Sequence, residues 1–328
     1  MEIIHLFAQN LLSPAILFFV LGITAGFIKS DLNVPDQISR YLAIYLMMAI
    51  GFKGGVAIAE TADINSQVIL TIVAGLGVGF LQPFIAYWML KATTKLDSPT
   101  AAAVAAHYGS ISMVTFVTAV SFLGASEVIY AGYIVAVLAL MEAPAILSGL
   151  YIAHRAAPET IKATERATPK LSREIFTNGA ILLLIGAFMI GWITGKPGLD
   201  KMEGFLVTPF QGILALFLLD MGLVVSRELH HLKEFNIRLV SFGIYMPLIG
   251  SAVGLILSKL IGLDVGTGML FMVLCASASY IAVPAAMRLA LPKAKAAIYI
   301  PMSLAITFPF NIAIGIPLYY ALAQNFLG

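Results

Sequence analysis

Apolar positions along this chain neither alternate nor keep to one face of a helix; they run on for some twenty residues at a time between short polar interruptions. About 20 apolar residues carry a helix across a bilayer. Ten stretches fit that length, near 7–28, 35–60, 66–91, 99–123, 127–154, 176–195, 203–227, 235–260, 266–290 and 295–325. The period-two alternation of a transmembrane strand is missing. The pattern therefore predicts an all-α membrane protein. The opening Met1-Glu2-Ile3-Ile4-His5 has no basic segment, and no small-residue cleavage site closes the first run, so that run is expected to be a retained span and not a signal peptide.

The polar interruptions repeat. Leu96-Asp97-Ser98-Pro99-Thr100 is followed, nine residues on, by Ser110-Ile111-Ser112. Leu263-Asp264-Val265-Gly266-Thr267 is followed, again nine residues on, by Ser277-Ala278-Ser279. Further matches keep almost the same offset: Ala15-Ile16-Leu17 with Ala180-Ile181-Leu182, Gly26 with Gly191, Gly54, Val56 and Glu60 with Gly222, Val224 and Glu228, and Ile129-Tyr130 with Ile298-Tyr299. The chain thus divides into a first five-helix repeat (1–154), a cytoplasmic linker (155–175) and a second five-helix repeat (176–328). An odd number of spans per repeat turns the second copy upside down, which predicts inverted-topology repeats.

Composition agrees: 60% of residues are hydrophobic and 11% charged, where a soluble domain has roughly 25% charged. Ten spans place fifteen basic residues on one side, among them Lys29, Arg40, Lys91, Arg155, Arg227, Arg238 and Lys295, and three (Lys196, Lys201, Lys259) on the other. The positive-inside rule makes the first side cytoplasmic and puts both termini outside. The chain is expected in the cell (inner) membrane. A net charge of +2 argues against a nucleic-acid partner, and the lone Cys275, which has no intrachain disulfide partner, reads as packing.

Chemistry concentrates at the repeated interruptions. Ser110, Ser112, Ser277 and Ser279 fall mid-span, with Gly109 before the first pair, Ala276 before the second and Pro284 after it. If both helices break there, their second halves start at mid-membrane and bring two positive N-terminal ends, with hydroxyls and backbone N–H groups, to one point. Such a point suits a small anion. Glu142 matches Asn311 near the middle of spans five and ten. With Thr115 and unwound carbonyls these are the oxygen donors a hard cation such as sodium prefers. Lys53 and Asp220 each lie about 10 Å from opposite surfaces, so they are not expected to pair, and His107 and Tyr108 either line the site or bond to neighbouring helices. No metal-ligand pair, nucleotide loop or Ser-His-Asp context is present. The chain reads as a carrier, not an enzyme, with no cofactor and with an ion gradient or the substrate's own gradient as its energy source.

The stretches Ala106–Ala119 and Ala276–Ala290 make the chain similar to the SbtA-type sodium-dependent bicarbonate transporter family. That resemblance implies bicarbonate uptake coupled to inward sodium flow, a core domain with two broken helices, a gate domain, elevator-like movement and a homotrimer. It also implies that Ser110, Ser112, Ser277 and Ser279 bind the anion, and that a PII-like trimeric regulator docks on the cytoplasmic face; the linker here is short for the family. The residues alone leave other readings open: a sodium/proton antiporter with Glu142 as its acid, a sodium-coupled carrier of another small anion, or a channel or sensory membrane protein.

Overall fold

The structure, a computed structural model, describes residues 11–60, 65–156, 179–229, 235–280, 283, 284, 287, 291 and 293–328. Described secondary structure is helical throughout: α1 (Pro14–Phe27), α2 (Asp36–Ala59), α3 (Ser66–Thr93), α4 (Ser98–Gly109), α5 (Met113–Ala125), α6 (Ile134–Ala156), α7 (Gly179–Met202), α8 (Phe210–Glu228), α9 (Ile237–Ile261), α10 (Val265–Ala276) and α11 (Ala296–Leu327). Seven helical stretches are long and apolar enough to cross a membrane, α4 and α5 counting as one. Three shorter apolar helices, Pro14–Phe27, Ile134–Gly149 and Val265–Ala276, lie in other predicted spans. Most of the predicted linker and several of the basic residues used for orientation lie outside the described residues.

Helix starts follow local chemistry more closely than apolar runs do. Asn65 and Asn236 cap α3 and α9 by accepting from the N–H groups of Val68 and Leu239, which satisfies donors that have no partner within the helix. The fifth span was expected from residue 127, but its helix starts at Ile134, because Glu127 takes a left-handed φ of 55° and Val128–Ala131 are non-helical. The seventh was expected from residue 203. Residues Glu203–Val207 instead form a π-helical turn continuing from α7, and α8 starts at Phe210 after Pro209, as a residue without an N–H dictates. α7 itself bends at Gly195, whose φ of 54° precedes Lys196-Pro197.

The helices pack in two groups. α1 lies along α8 and α2 along α7, whereas α3, α4, α6, α9, α10 and α11 pack around one another. In the first group glycines bring backbones together. A Cβ on Gly222 would meet the Phe19 carbonyl and, at 2.8 Å, the Ile23 nitrogen; one on Gly22 would meet the Leu219 carbonyl. Gly55 and Gly191 seat α2 against α7 in the same way, facing the backbones of Phe188 and Phe52. Small residues at helix crossings are how spans associate where lipid supplies no hydrophobic drive.

Gly222→Ala should destabilise the protein by about 1–3 kcal/mol through overpacking. Gly212→Ala, on the same helix with nothing within 4 Å of the added carbon, should leave the thermal midpoint in detergent unchanged or slightly raised.

Candidate functional site at two crossed helix breaks

The repeated Leu-Asp-x-x-Thr motifs are helix starts. Asp97 accepts from the Thr100 N–H and Asp264 from the Thr267 N–H, both at 2.9 Å, so α4 and α10 begin identically and are both 12 residues long. Each threonine then reaches across the chain: Thr100 Oγ1 accepts from the Lys295 N–H at 3.2 Å and Thr267 Oγ1 from the Ala131 N–H at 2.8 Å. Each motif thus fixes the entry of its own helix and, at the same time, the chain leading into α11 or α6.

Both helices end at the Ser-x-Ser pairs. Ser110 and Ser277 leave the helix with nearly the same extended backbone, φ/ψ of −97/164° and −88/164°. Ser112 then caps α5, its Oγ accepting from the Thr115 N–H at 3.3 Å and from the Thr115 hydroxyl at 2.9 Å. Beyond Ser279 the described residues Val283, Pro284 and Met287 are helical again. The expected breaks are therefore present at the expected serines.

The two breaks bond to each other. The Ser112 N–H donates to Ser277 Oγ at 2.9 Å, and the Ser279 N–H donates to the His107 carbonyl at 2.9 Å. Ser277 passes its own hydroxyl proton to the Leu274 carbonyl at 3.1 Å. All four serines are buried, at most 3% exposed. Ser110 Oγ is buried with no hydrogen-bond partner, and so is His107 Nε2, one turn before it. Buried polar atoms without partners are rare in folded proteins, and these two sit at the break.

Two carbonyl ends are tied down by one residue that sequence reasoning did not single out. Gln82 of α3 donates from Nε2 to the Tyr108 carbonyl at 2.6 Å and to the Cys275 carbonyl at 2.8 Å. One amide thereby fastens the last turns of both α4 and α10. Tyr108 donates its hydroxyl to Thr307 at 2.7 Å, since Thr307 spends its own proton on the Gly243 carbonyl at 2.7 Å. That chain joins the first break to α9 through α11. The available signal was a glutamine in the middle of a span, flanked by apolar residues and a proline, Phe80-Leu81-Gln82-Pro83.

The remaining predicted residues fall as follows. Asn311 is fully buried, donates to the Ala276 carbonyl at 3.0 Å and accepts from the Tyr319 hydroxyl at 2.8 Å. It opens a π-helical segment of α11, Asn311–Gly315, a distortion frequent at functional sites. Thr115 joins the first break through Ser112, as above. Gly109 is where the Pro83 ring of α3 lies, and a Cβ there would also stand 3.0 Å from the Gly79 carbonyl. Glu142 is in α6, but its side chain lies outside the described residues. His107 bonds its Nδ1 to the Ala103 carbonyl at 2.6 Å within its own helix. Lys53 rests over the Phe210 ring at 5.0 Å, and Asp220 accepts from the Ser39 hydroxyl; their partners lie at opposite ends of the α2–α8 contact, so the two charges stay apart as expected.

The comparison with known families is decisive: the sequence profile of the Na+-dependent bicarbonate transporter superfamily matches residues 14–324. The chain belongs to that superfamily. No curated protein matches the chain. A transporter with sodium as coupling ion needs no bond-making site, and among the described residues no three His, Cys, Asp or Glu side chains group to hold a metal ion.

Gln82→Leu keeps the side-chain bulk and removes both donors. Each stranded carbonyl costs about 1–3 kcal/mol, so the variant should unfold at a clearly lower temperature in detergent, and an unchanged midpoint would show that the amide does not fasten the breaks.

Proposed function

We propose that this transporter is a sodium-coupled bicarbonate symporter that binds the anion at the bilayer midplane, between the break after α4 and the break after α10. The observation that carries this reading is the direct contact of the two breaks, the Ser112 N–H on Ser277 Oγ at 2.9 Å, with the unpartnered Ser110 hydroxyl beside it. A small planar anion entering there takes the Ser112 N–H and the hydroxyls of Ser110 and Ser277, and leaves the backbone path unchanged. Helix N-termini supply about half a positive charge each, and α5 begins at this point.

The cation side follows from the other ends. α4 and α10 finish at the crossing with their carbonyls, and helix C-termini carry the opposite partial charge. Ala276 O with Asn311 Oδ1, Thr115 Oγ1 and Glu142 supply oxygen donors of the kind sodium takes. Anion and cation then lie side by side, and each favours the other by a coupling of typically 1–3 kcal/mol. That mutual preference is what symport requires.

The architecture in this reading is ten spans in two inverted repeats, with both termini outside and the Lys- and Arg-rich side in the cytoplasm of a cell whose inner membrane holds the protein. The identical capping of α4 and α10 and the reciprocal Thr100–Lys295 and Thr267–Ala131 bonds support it. The broken helices with α3, α6, α9 and α11 form the core domain, and α1, α2, α7 and α8 the gate. Movement of the core along the gate, in a homotrimer, gives alternating access.

Labelled bicarbonate uptake into proteoliposomes should require an inward sodium gradient. Ser110→Ala and Ser277→Ala should each lower it about tenfold, the loss of one charge-assisted hydrogen bond, while assembly is retained. Full uptake by both variants would remove the serines from the site. Sodium-driven proton efflux without bicarbonate, read by an internal pH dye, would instead identify an antiporter.

A further inference from the structure

α3 and α9 lie side by side and leave an open furrow along their outer seam. Its inner stretch is a fissure of about 340 Å3 between Ala74, Gly77 and Leu81 of α3 and Ile249, Val253 and Leu257 of α9. Leu81 is 58% exposed, so the fissure opens onto the lipid. Gly77 is what gives it depth: a Cβ there would meet nothing within 4 Å. Along α9 the lining runs from Met246 to Leu257, about 16 Å at the rise of a helix. That matches one leaflet of a hydrocarbon core about 30 Å thick.

The seam continues into a second cavity of about 370 Å3, lined by Thr93 of α3 and by Ile237, Arg238, Ser241 and Tyr245 of α9. Tyr245 precedes Met246, so along α9 the lining of the second cavity begins where that of the fissure ends. Here the chemistry changes. Arg238 donates one N–H to the Thr93 carbonyl at 3.2 Å and has further donors to give. The Tyr245 hydroxyl is buried with no hydrogen-bond partner. This is also the end of α3 that carries Lys91, with Lys95 two residues past the helix.

We propose that the furrow is a binding site for one anionic phospholipid, its acyl chain in the fissure and its headgroup phosphate on Arg238, with the hydroxyls of Ser241 and Tyr245 completing the contact. The occupant follows from the lining: an apolar slot one leaflet deep, ending in a cation and an unsatisfied hydroxyl, is complementary to a chain ending in a phosphate ester. A lipid seated there is held in a notch below the helix surface, unlike one sliding over closely packed side chains. Its chain packs against Gln82, which lines the fissure and fastens both helix breaks. Assignment to the cytoplasmic leaflet rests on the orientation proposed above; binding itself does not.

Native mass spectrometry of the purified full-length chain with phosphatidylglycerol or phosphatidylcholine of identical acyl composition tests this. The wild type should retain one phosphatidylglycerol per chain in preference to phosphatidylcholine. Arg238→Gln should weaken that retention about fivefold, the worth of one basic residue at an anionic surface, and abolish the preference. Gly77→Leu, whose Cβ has nothing within 4 Å and whose side chain adds bulk to the slot, should remove the retained lipid of either kind. Equal retention of the two lipids by the wild type, undiminished retention by Gly77→Leu, or an unaltered preference in Arg238→Gln overturns the assignment. Arg238 is an exposed residue, so its variant carries the test if Gly77→Leu fails to fold. The readout is bound lipid and neither variant touches the serines, so failure here leaves the transport reading standing.

Discussion

A helix interrupted inside a membrane leaves backbone carbonyls on one side of the gap and N–H groups on the other, and hydrocarbon offers them nothing. Everything near the centre of this protein answers that demand. The two interruptions are stacked so that each supplies the other: an amide of the first finds a hydroxyl of the second, and an amide of the second finds a carbonyl of the first. Gln82 and Asn311 close three of the remaining carbonyls. Neither broken helix is satisfied without the other. This is why α4 and α10 are buried around almost their whole circumference, and why α3 approaches the first of them at glycines.

Much of this was legible because it occurs twice. Duplication picked out Ser110, Ser112, Ser277 and Ser279 among many serines, and it picked out Leu-Asp-x-x-Thr, although only as a marker. The structure gives that motif its mechanics, an aspartate cap and a threonine oxygen that accepts a distant backbone amide. What occurs once stayed hidden. The position matching Gln82 at the repeat offset falls at Ile249–Gly250, where no side chain could do the same work, because a Cβ on Gly250 would meet the Cys275 carbonyl. A glycine on one helix thus makes room for the glutamine of the other, a pairing that symmetry arguments pass over.

Helix ends were legible only where a side chain sets them. Hydropathy extends as readily through a loop as through a helix: Val128-Ile129-Tyr130 is apolar, yet Ile129 is 90% exposed and the helix waits for Ile134. At Phe210 the cause is Pro209, which the sequence displayed but the apolar run overrode. The geometry of Lys53 and Asp220 was accessible for the opposite reason, since rise per residue alone separates them. Ser39 and Phe210, their actual partners, lie on the neighbouring helix of each and required the packing to be known.

Breaking two helices where their ends bond to each other does more than create polar groups; it sorts them. The first halves of both spans arrive with their carbonyl ends, and the second halves depart with their N–H ends. Opposite partial charges are therefore presented within one crossing by the backbone alone, before any side chain is chosen. Serine suits the N–H side because its hydroxyl both donates and accepts, as Ser277 does between the Leu274 carbonyl and the Ser112 amide. Asparagine suits the carbonyl side because it can neutralise one carbonyl and still present an oxygen, as Asn311 does toward Ala276 and Tyr319. In the proposed cycle an arriving anion releases the Ser112 amide from Ser277 and leaves the carbonyl fasteners in place. The cation, drawn to that carbonyl side, then meets a site that the anion has made more negative. In that proposal, coupling between the two ions follows from where the helices are cut.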